Sequence, residues 1–233
     1  MVRSRQEKLD LLRRVPLFAG IAEEALASLA AELRVLDVKR RDEIFHRADE
    51  GRDLYVVVEG SLKAMTTSRE GDDVVFEVMG PGDVFGECAM MDDLGRTQTV
   101  RAIDSARLLA IDRRDLFTLM REQPEVALRL LGALSARVRN LCRFFEDVHF
   151  LNLPERLAKK LVDLAKRFGR RRPDGIRIDL VLSQEEWGDL VGATRESVNK
   201  QLKSWAEAGL VRRSGRHLIV EKPLELEALA REI

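Results

Sequence analysis

The rhythm of hydrophobic and polar positions changes several times along this chain. Up to Leu33 it is helical: Lys8 to Val15 forms a short amphipathic stretch stopped by Pro16. Ala22 to Glu32 follows as a second helix, with Leu26, Leu29, Ala30 and then Leu33 on one side. From Arg34 the apolar runs become short. Arg34–Val38, Glu43–His46, Leu54–Glu59, Ser61–Thr66, Val74–Met79, Asp83–Phe85, Thr99–Ala102 and Ala106–Ile111 all read as strands, punctuated by Gly51, Gly60, Gly71, Gly80, Gly82 and Gly86. Short strands at regular spacing with glycine turns predict a sandwich or barrel-like roll. Glu59-Gly60-Ser61 between two apolar runs is a tight-hairpin signal. Arg113 to Arg121 returns to helix.

The longest periodic stretch is Pro124 to Phe150. Its apolar residues Leu131, Leu134, Val138, Leu141, Phe145 and Val148 recur at alternating spacings of three and four, an a/d seam that calls for a partner helix. At 1.5 Å per residue the stretch is about 40 Å long. The alternative is a long amphipathic helix packed on its own domain. The face opposite the seam carries no comparable apolar row, so a parallel dimer seam is the better reading.

Beyond it, Pro154 to Phe168 is a helix with proline just inside its start and Asn152 as its cap. Leu151-Asn152-Leu153 is then a hinge, and Arg170 to Gly175 a loop. Ser183 with Glu186 three residues on is a capping box opening a helix over Gln184–Val191, which stops at Gly192. Thr194 caps a second helix, Arg195 to Ala208. Two helices joined by a tight glycine turn predict a helix-turn-helix. Leu210–Arg213 and His217–Val220, around Ser214-Gly215, form a hairpin wing. The expected division is residues 1–123 as a sensor domain, 124–150 as the dimerisation helix and 151–233 as a DNA-binding domain.

Charge supports that division. The 40 Lys+Arg and 40 Asp+Glu balance overall, but from Asn152 onward there are 17 basic against 13 acidic residues, leaving 23 against 27 before it. A positive C-terminal part favours a polyanionic partner. Two cysteines, Cys88 and Cys142, are too few for a disulfide scaffold or a Cys₄ cluster, and His46, His149 and His217 are scattered. No run approaches the ~18 apolar residues of a membrane helix, and the first residues lack an apolar signal core, so a cytoplasmic protein without a membrane partner is expected. No nucleophile with a base and orienting group, paired metal ligands or Walker-type loop is evident, so no enzyme activity or tightly bound cofactor is expected.

The chemistry of the first domain concentrates in Gly82-Asp83-Val84-Phe85-Gly86-Glu87-Cys88-Ala89-Met90, followed by Arg96-Thr97. Gly86 permits close backbone approach, and Cys88-Ala89-Met90 begins a short helix whose N–H groups suit an anion. Arg96 offers a positive fork for phosphate, and Glu87 accepts from a hydroxyl. Together they suit a ribose joined to a phosphate; singly, each is an ordinary solvated loop residue.

This cassette, set in a glycine-punctuated roll ahead of a long helix and a helix-turn-helix, resembles the cyclic AMP receptor protein branch of the Crp–Fnr transcription regulators over roughly Val15 to Val220. The resemblance implies an α+β chain: an N-terminal cyclic-nucleotide-binding β-roll (double-stranded jelly roll), a dimerisation helix and a C-terminal winged helix-turn-helix. It implies that Glu87 holds the ribose 2′-hydroxyl, Arg96 pairs with the cyclic phosphate, Thr97 bonds phosphate or base and Arg137 lies near the phosphate. Leu141 and Cys142 stand where members responding to cyclic AMP usually present Thr and then Ser or Asn to the adenine. Leu141, on the seam, cannot donate a hydrogen bond, and an Arg-Thr pair such as Arg96-Thr97 also occurs in domains preferring cyclic GMP. Cyclic AMP remains the expected effector, with cyclic GMP, another ligand or no ligand as the alternative.

In the second domain, Arg195 and Glu196 occupy the first turn of the helix that enters the major groove, where Arg grips guanine and Glu accepts from cytosine. Asn199, Lys200 and Lys203 follow on its exposed side. The stretch from Gly192 to Lys200, including Thr194, is similar to the family's recognition segment, which implies double-stranded DNA with palindromic TGTGA-like half-sites, a homodimer and RNA polymerase as partners. Ser183, Gln184, Lys203 and Arg216 are candidates for phosphate contact. The alternative of another class is a cyclic-nucleotide-dependent regulatory module that binds no DNA.

Overall fold

The protein is described by a computed structural model covering residues 4–230. The chain forms two compact units that part within one long helix, between Arg139 and Asn140, with Thr67–Phe76 grouped with the second unit.

In the first unit, α1 (Arg5–Leu12) begins three residues before the expected start, because Ser4 and Glu7 form a capping box, and it buries Leu9, Leu11 and Leu12. A 3₁₀ turn over Pro16–Phe18 leads to α2 (Glu23–Glu32). The strands follow as expected: β1 (Arg34–Val38), β2 (Glu43–Phe45), β3 (Asp53–Glu59), β4 (Leu62–Thr67), β5 (Asp73–Met79) and β6 (Val84–Phe85). The short α3 (Glu87–Asp92) precedes β7 (Thr99–Ala102), β8 (Ala106–Asp112) and α4 (Arg113–Glu122).

Two four-stranded sheets result, ordered β1-β8-β3-β6 and β2-β7-β4-β5. Antiparallel registers set Val35 opposite Leu109 and Leu62 opposite Ala102. Strand alternation divides the core in two. Tyr55 and Val57 of β3, with Leu108 and Ala110 of β8, join one cluster with Leu62, Val100 and Ala102 of the second sheet. Leu54, Val56, Leu109 and Ile111 point the other way and pack with residues of α1, α2 and α4. Both faces of the central strands are thus buried, which is why they read as nearly continuous apolar runs.

The long helix α5 (Pro124–Phe150) runs unbroken for 27 residues. Its start is anchored by buried Val126 and Leu130. The predicted seam stands clear of the chain's own core: Leu131 and Val138 are each 58% exposed and Phe145 68%.

In the second unit, Asn152 and Glu155 form a capping box for α6 (Leu153–Phe168), an amphipathic helix burying Leu157, Ala158, Leu161, Leu164 and Ala165. The loop expected over Arg170–Gly175 is instead a hairpin, β9 (Gly169–Arg172) and β10 (Gly175–Ile178), paired from Ile178 opposite Gly169 to Gly175 opposite Arg172. An exposed edge strand needs only its backbone to join a ladder, so a run of arginines hides it from hydrophobic patterning. Asp179 and Asp174 neutralise Arg170 and Arg172, at 3.1 and 3.4 Å. After α7 (Gln184–Val191) and α8 (Arg195–Glu207), the wing strands β11 (Val211–Ser214) and β12 (His217–Val220) complete a sheet ordered β11-β12-β10-β9, and α9 (Pro223–Leu229) follows.

Candidate ligand pocket and DNA-binding surface

In the roll, Gly86 caps α3 in the left-handed region, at φ +88°. A Cβ there would meet Arg96 Nη1 at 2.6 Å and the Asp53 carbonyl oxygen at 2.9 Å, so only glycine fits. The turn delivers Glu87, 2% exposed, into the interior, where Arg96, 4% exposed, is also buried.

Backbone bonds fix Arg96. Its N–H donates to Asp49 O and its carbonyl accepts from Ala48 N–H, both at 2.8 Å. Its guanidinium donates to Gly86 O at 2.7 Å and Asp53 O at 3.2 Å. It lies 4.3 Å from the centre of the Phe45 ring, with Tyr55 and Phe85 stacked alongside. Aromatic faces supply part of what water would give a buried cation. Burial pulls the Arg96 pKa below its ordinary value and pushes that of Tyr55 up.

Arg137 of α5 donates through Nε to Glu77 at 2.9 Å, through Nη1 to Glu87 and through Nη2 to Val84 O at 2.9 Å. Burial by itself would lower the Arg137 pKa, but Glu87 and Glu77 carry it above its ordinary value. Among the described residues, two buried side-chain polar atoms have no partner: Glu87 Oε2 and Arg96 Nε. One accepts and the other donates, and leaving either unpaired costs about 1–3 kcal/mol.

The structure therefore brings together Gly86, Glu87, Cys88, Ala89, Arg96 and Arg137. Cys88 sits beside Glu87 at 3.7 Å, and burial followed by the Glu87 charge raises its thiol pKa, which makes it a poor nucleophile. Ala89 is buried, Thr97 is exposed, and Leu141 and Cys142 are exposed on the part of α5 that belongs to the second unit. Glu77 and the aromatic set were not anticipated. A lone carboxylate inside the apolar run of β5 was the available signal for Glu77.

In the second unit, Ser183 and Glu186 exchange their side-chain and backbone bonds at 3.1 and 2.8 Å, starting α7. Gly192 turns the chain at φ +63°, and Thr194 caps α8 by accepting from Ser197 N–H at 3.2 Å. Trp187, Leu190 and Val191 of α7 are buried, as are Val198, Leu202 and Trp205 of α8. Gly188 was also unanticipated: a Cβ there would lie 2.5 Å from Ala193 O, so the turn that folds back on α7 needs its bare backbone.

With one face of α8 buried, Arg195, Glu196, Asn199, Lys200 and Lys203 remain exposed. Arg216 is exposed at the tip of the wing. Gln184 is turned toward the recognition helix, donating to Asn199 Oδ1. Arg156 of α6 supports the turn from behind, through Val191 O at 2.9 Å and Leu151 O at 2.7 Å.

Comparison with known proteins agrees with both halves. A cyclic nucleotide-binding domain model matches residues 35–123 and a Crp-like helix-turn-helix domain model residues 155–229. A Mycobacterium tuberculosis protein described as a CRP-like cAMP-activated global transcriptional regulator is 33% identical over 222 residues, covering 95% of this chain and 99% of its own. The chain belongs to the Crp–Fnr family of transcriptional regulators. A Thermus thermophilus relative described as a cyclic AMP receptor protein is 28% identical over 215 residues, covering 92% of this chain and 96% of its own. The FixK2 structure from Bradyrhizobium japonicum shares the fold with a TM-score of 0.78 at 20% identity, covering 86% of this chain and 98% of that one. This Crp–Fnr regulator is thus a DNA-binding transcription factor with a cyclic nucleotide-binding domain, and its family is not enzymatic. Among the described residues no helix is long and apolar enough to cross a membrane.

Proposed function

We propose that this regulator works as a homodimer joined along the α5 seam, and that a cyclic nucleotide, cyclic AMP foremost, controls its DNA binding. The observation that carries the effector reading is the pair of unpartnered buried atoms, Glu87 Oε2 and Arg96 Nε. A ribose hydroxyl donates to the first and a cyclic phosphate accepts from the second. Gly86, Cys88 and Ala89 line that cassette, with Thr97 at its rim.

The dimer reads a palindrome with TGTGA-like halves, Arg195 and Glu196 contacting bases while Ser183, Thr194, Lys200, Lys203 and Arg216 contribute base or phosphate contacts. RNA polymerase is the downstream partner. The effector acts only through unequal affinity for two arrangements of the DNA-binding domains about the Leu151–Leu153 hinge. The cytoplasm is the compartment that fits such a regulator.

A second reading, cyclic GMP or a different ligand, is favoured by Leu141 and Cys142, neither of which presents a hydroxyl to a base. Fluorescence anisotropy with a palindromic TGTGA-type duplex at one fixed salt, against a scrambled duplex, separates the readings. Tightening by cyclic AMP alone supports the first. Tightening by cyclic GMP alone supports the second, and specific binding indifferent to both removes the cyclic-nucleotide switch.

A further inference from the structure

The side-chain amide that opens α7 does not reach out toward a DNA backbone. Gln184 is half-buried, and its Nε2 donates to Asn199 Oδ1 at 2.5 Å. Asn199 is exposed one turn beyond Arg195 and one turn before Lys203 on the same face of α8. The bond therefore crosses from the first helix of the motif to the middle of the recognition face.

We infer that Gln184 is a positioning residue for sequence recognition, acting through Asn199. A planar carboxamide held by its oxygen presents its NH₂ away from the holder. Asn199 then faces the groove as a donor. Major-groove acceptors are purine N7, guanine O6 and thymine O4. The bidentate grip on adenine, which needs the asparagine oxygen for N6–H and its nitrogen for N7, is disfavoured while Gln184 holds that oxygen. Asn199 thus selects a base-edge acceptor, and Gln184 supplies in advance the ordering that a free side chain would have to acquire on binding. The Ser183–Glu186 capping box lies beside Gln184 and does not use its side chain, so replacing Gln184 leaves the start of α7 intact.

The test uses the full-length chain and a site selected from a randomised duplex library, so that no half-site sequence is assumed. Anisotropy titrations compare the wild type, Gln184→Ala, Asn199→Ala, the double variant and Gln184→Glu, on the selected site and on every single-base change, at several salt concentrations. Gln184→Ala is expected to flatten preference at one base pair by about tenfold. Asn199→Ala should flatten the same base pair, with the double variant no worse than Asn199→Ala and the salt slope unchanged. Gln184→Glu cannot donate to Oδ1 and instead accepts from Nδ2, so it should shift the preferred base at that position. Equal weakening on every duplex with a salt slope lower by about one would make Gln184 a phosphate contact and overturn the inference. Additive losses at different base pairs, or no change, would overturn it as well.

Discussion

At the residue scale, the candidate pocket turns on how four charged side chains, Arg96, Arg137, Glu77 and Glu87, are partnered. Arg96 has its charge buried among rings and carbonyls with its Nε–H unpaired, so an anion is its natural complement. Arg96→Ala should weaken cyclic-nucleotide binding by roughly tenfold to a hundredfold, the worth of a hydrogen bond to a charged group, in isothermal titration calorimetry. Arg137 is in the opposite condition, because two carboxylates and a carbonyl already engage it. An anionic ligand approaching it must compete with Glu77. Glu77→Gln should therefore tighten cyclic-nucleotide binding severalfold in the same calorimetry, whereas a base-reading role for Glu77 would loosen it. Glu87, Arg96 and Gly86 were legible because residue type and spacing name their chemistry. Glu77 was not, because its importance comes from the arginine that the tertiary fold delivers to it.

At the element scale, local signals and burial agree almost everywhere. The capping boxes at Ser183 and Asn152 start α7 and α6 whatever surrounds them, since each side chain answers a backbone N–H three residues away. Strand periodicity located the roll's strands because those strands are buried. It missed β9, whose side chains are arginines at a sheet edge. The α5 seam is the strongest elemental prediction: Val138 and Phe145 are exposed within the chain, so a charge there costs the monomer little. Val138→Asp should leave thermal unfolding of the roll nearly unchanged while shifting sedimentation toward the monomer. A sedimentation profile identical to wild type would remove α5 as the dimer seam.

At the scale of the whole molecule, the proposed control by an effector requires a link to the recognition helix, and Arg156 is the candidate for it. It bonds Leu151 O between α5 and α6 and Val191 O at the helix-turn-helix turn, while Lys159 bonds Asp147 of α5 at 2.7 Å. Arg156→Ala should preserve nucleotide affinity but shrink the nucleotide's effect on DNA affinity, by anisotropy with and without cyclic AMP; an undiminished effect would show that the hinge acts without it. By itself the sequence determined the order of elements, the roll, the long helix and the winged helix-turn-helix, since these rest on periodicity, caps and glycine turns that each stretch carries locally, and the family resemblance followed from the Gly86-Glu87 cassette, Arg96-Thr97 and the Gly192–Lys200 stretch. Only the tertiary structure decided that Arg137 is shared between Glu77 and Glu87, that Gln184 turns to Asn199, and that Gly188 must stay bare. Those contacts join residues from 5 to 60 positions apart, and no local pattern records which distant side chain a buried charge or amide will find.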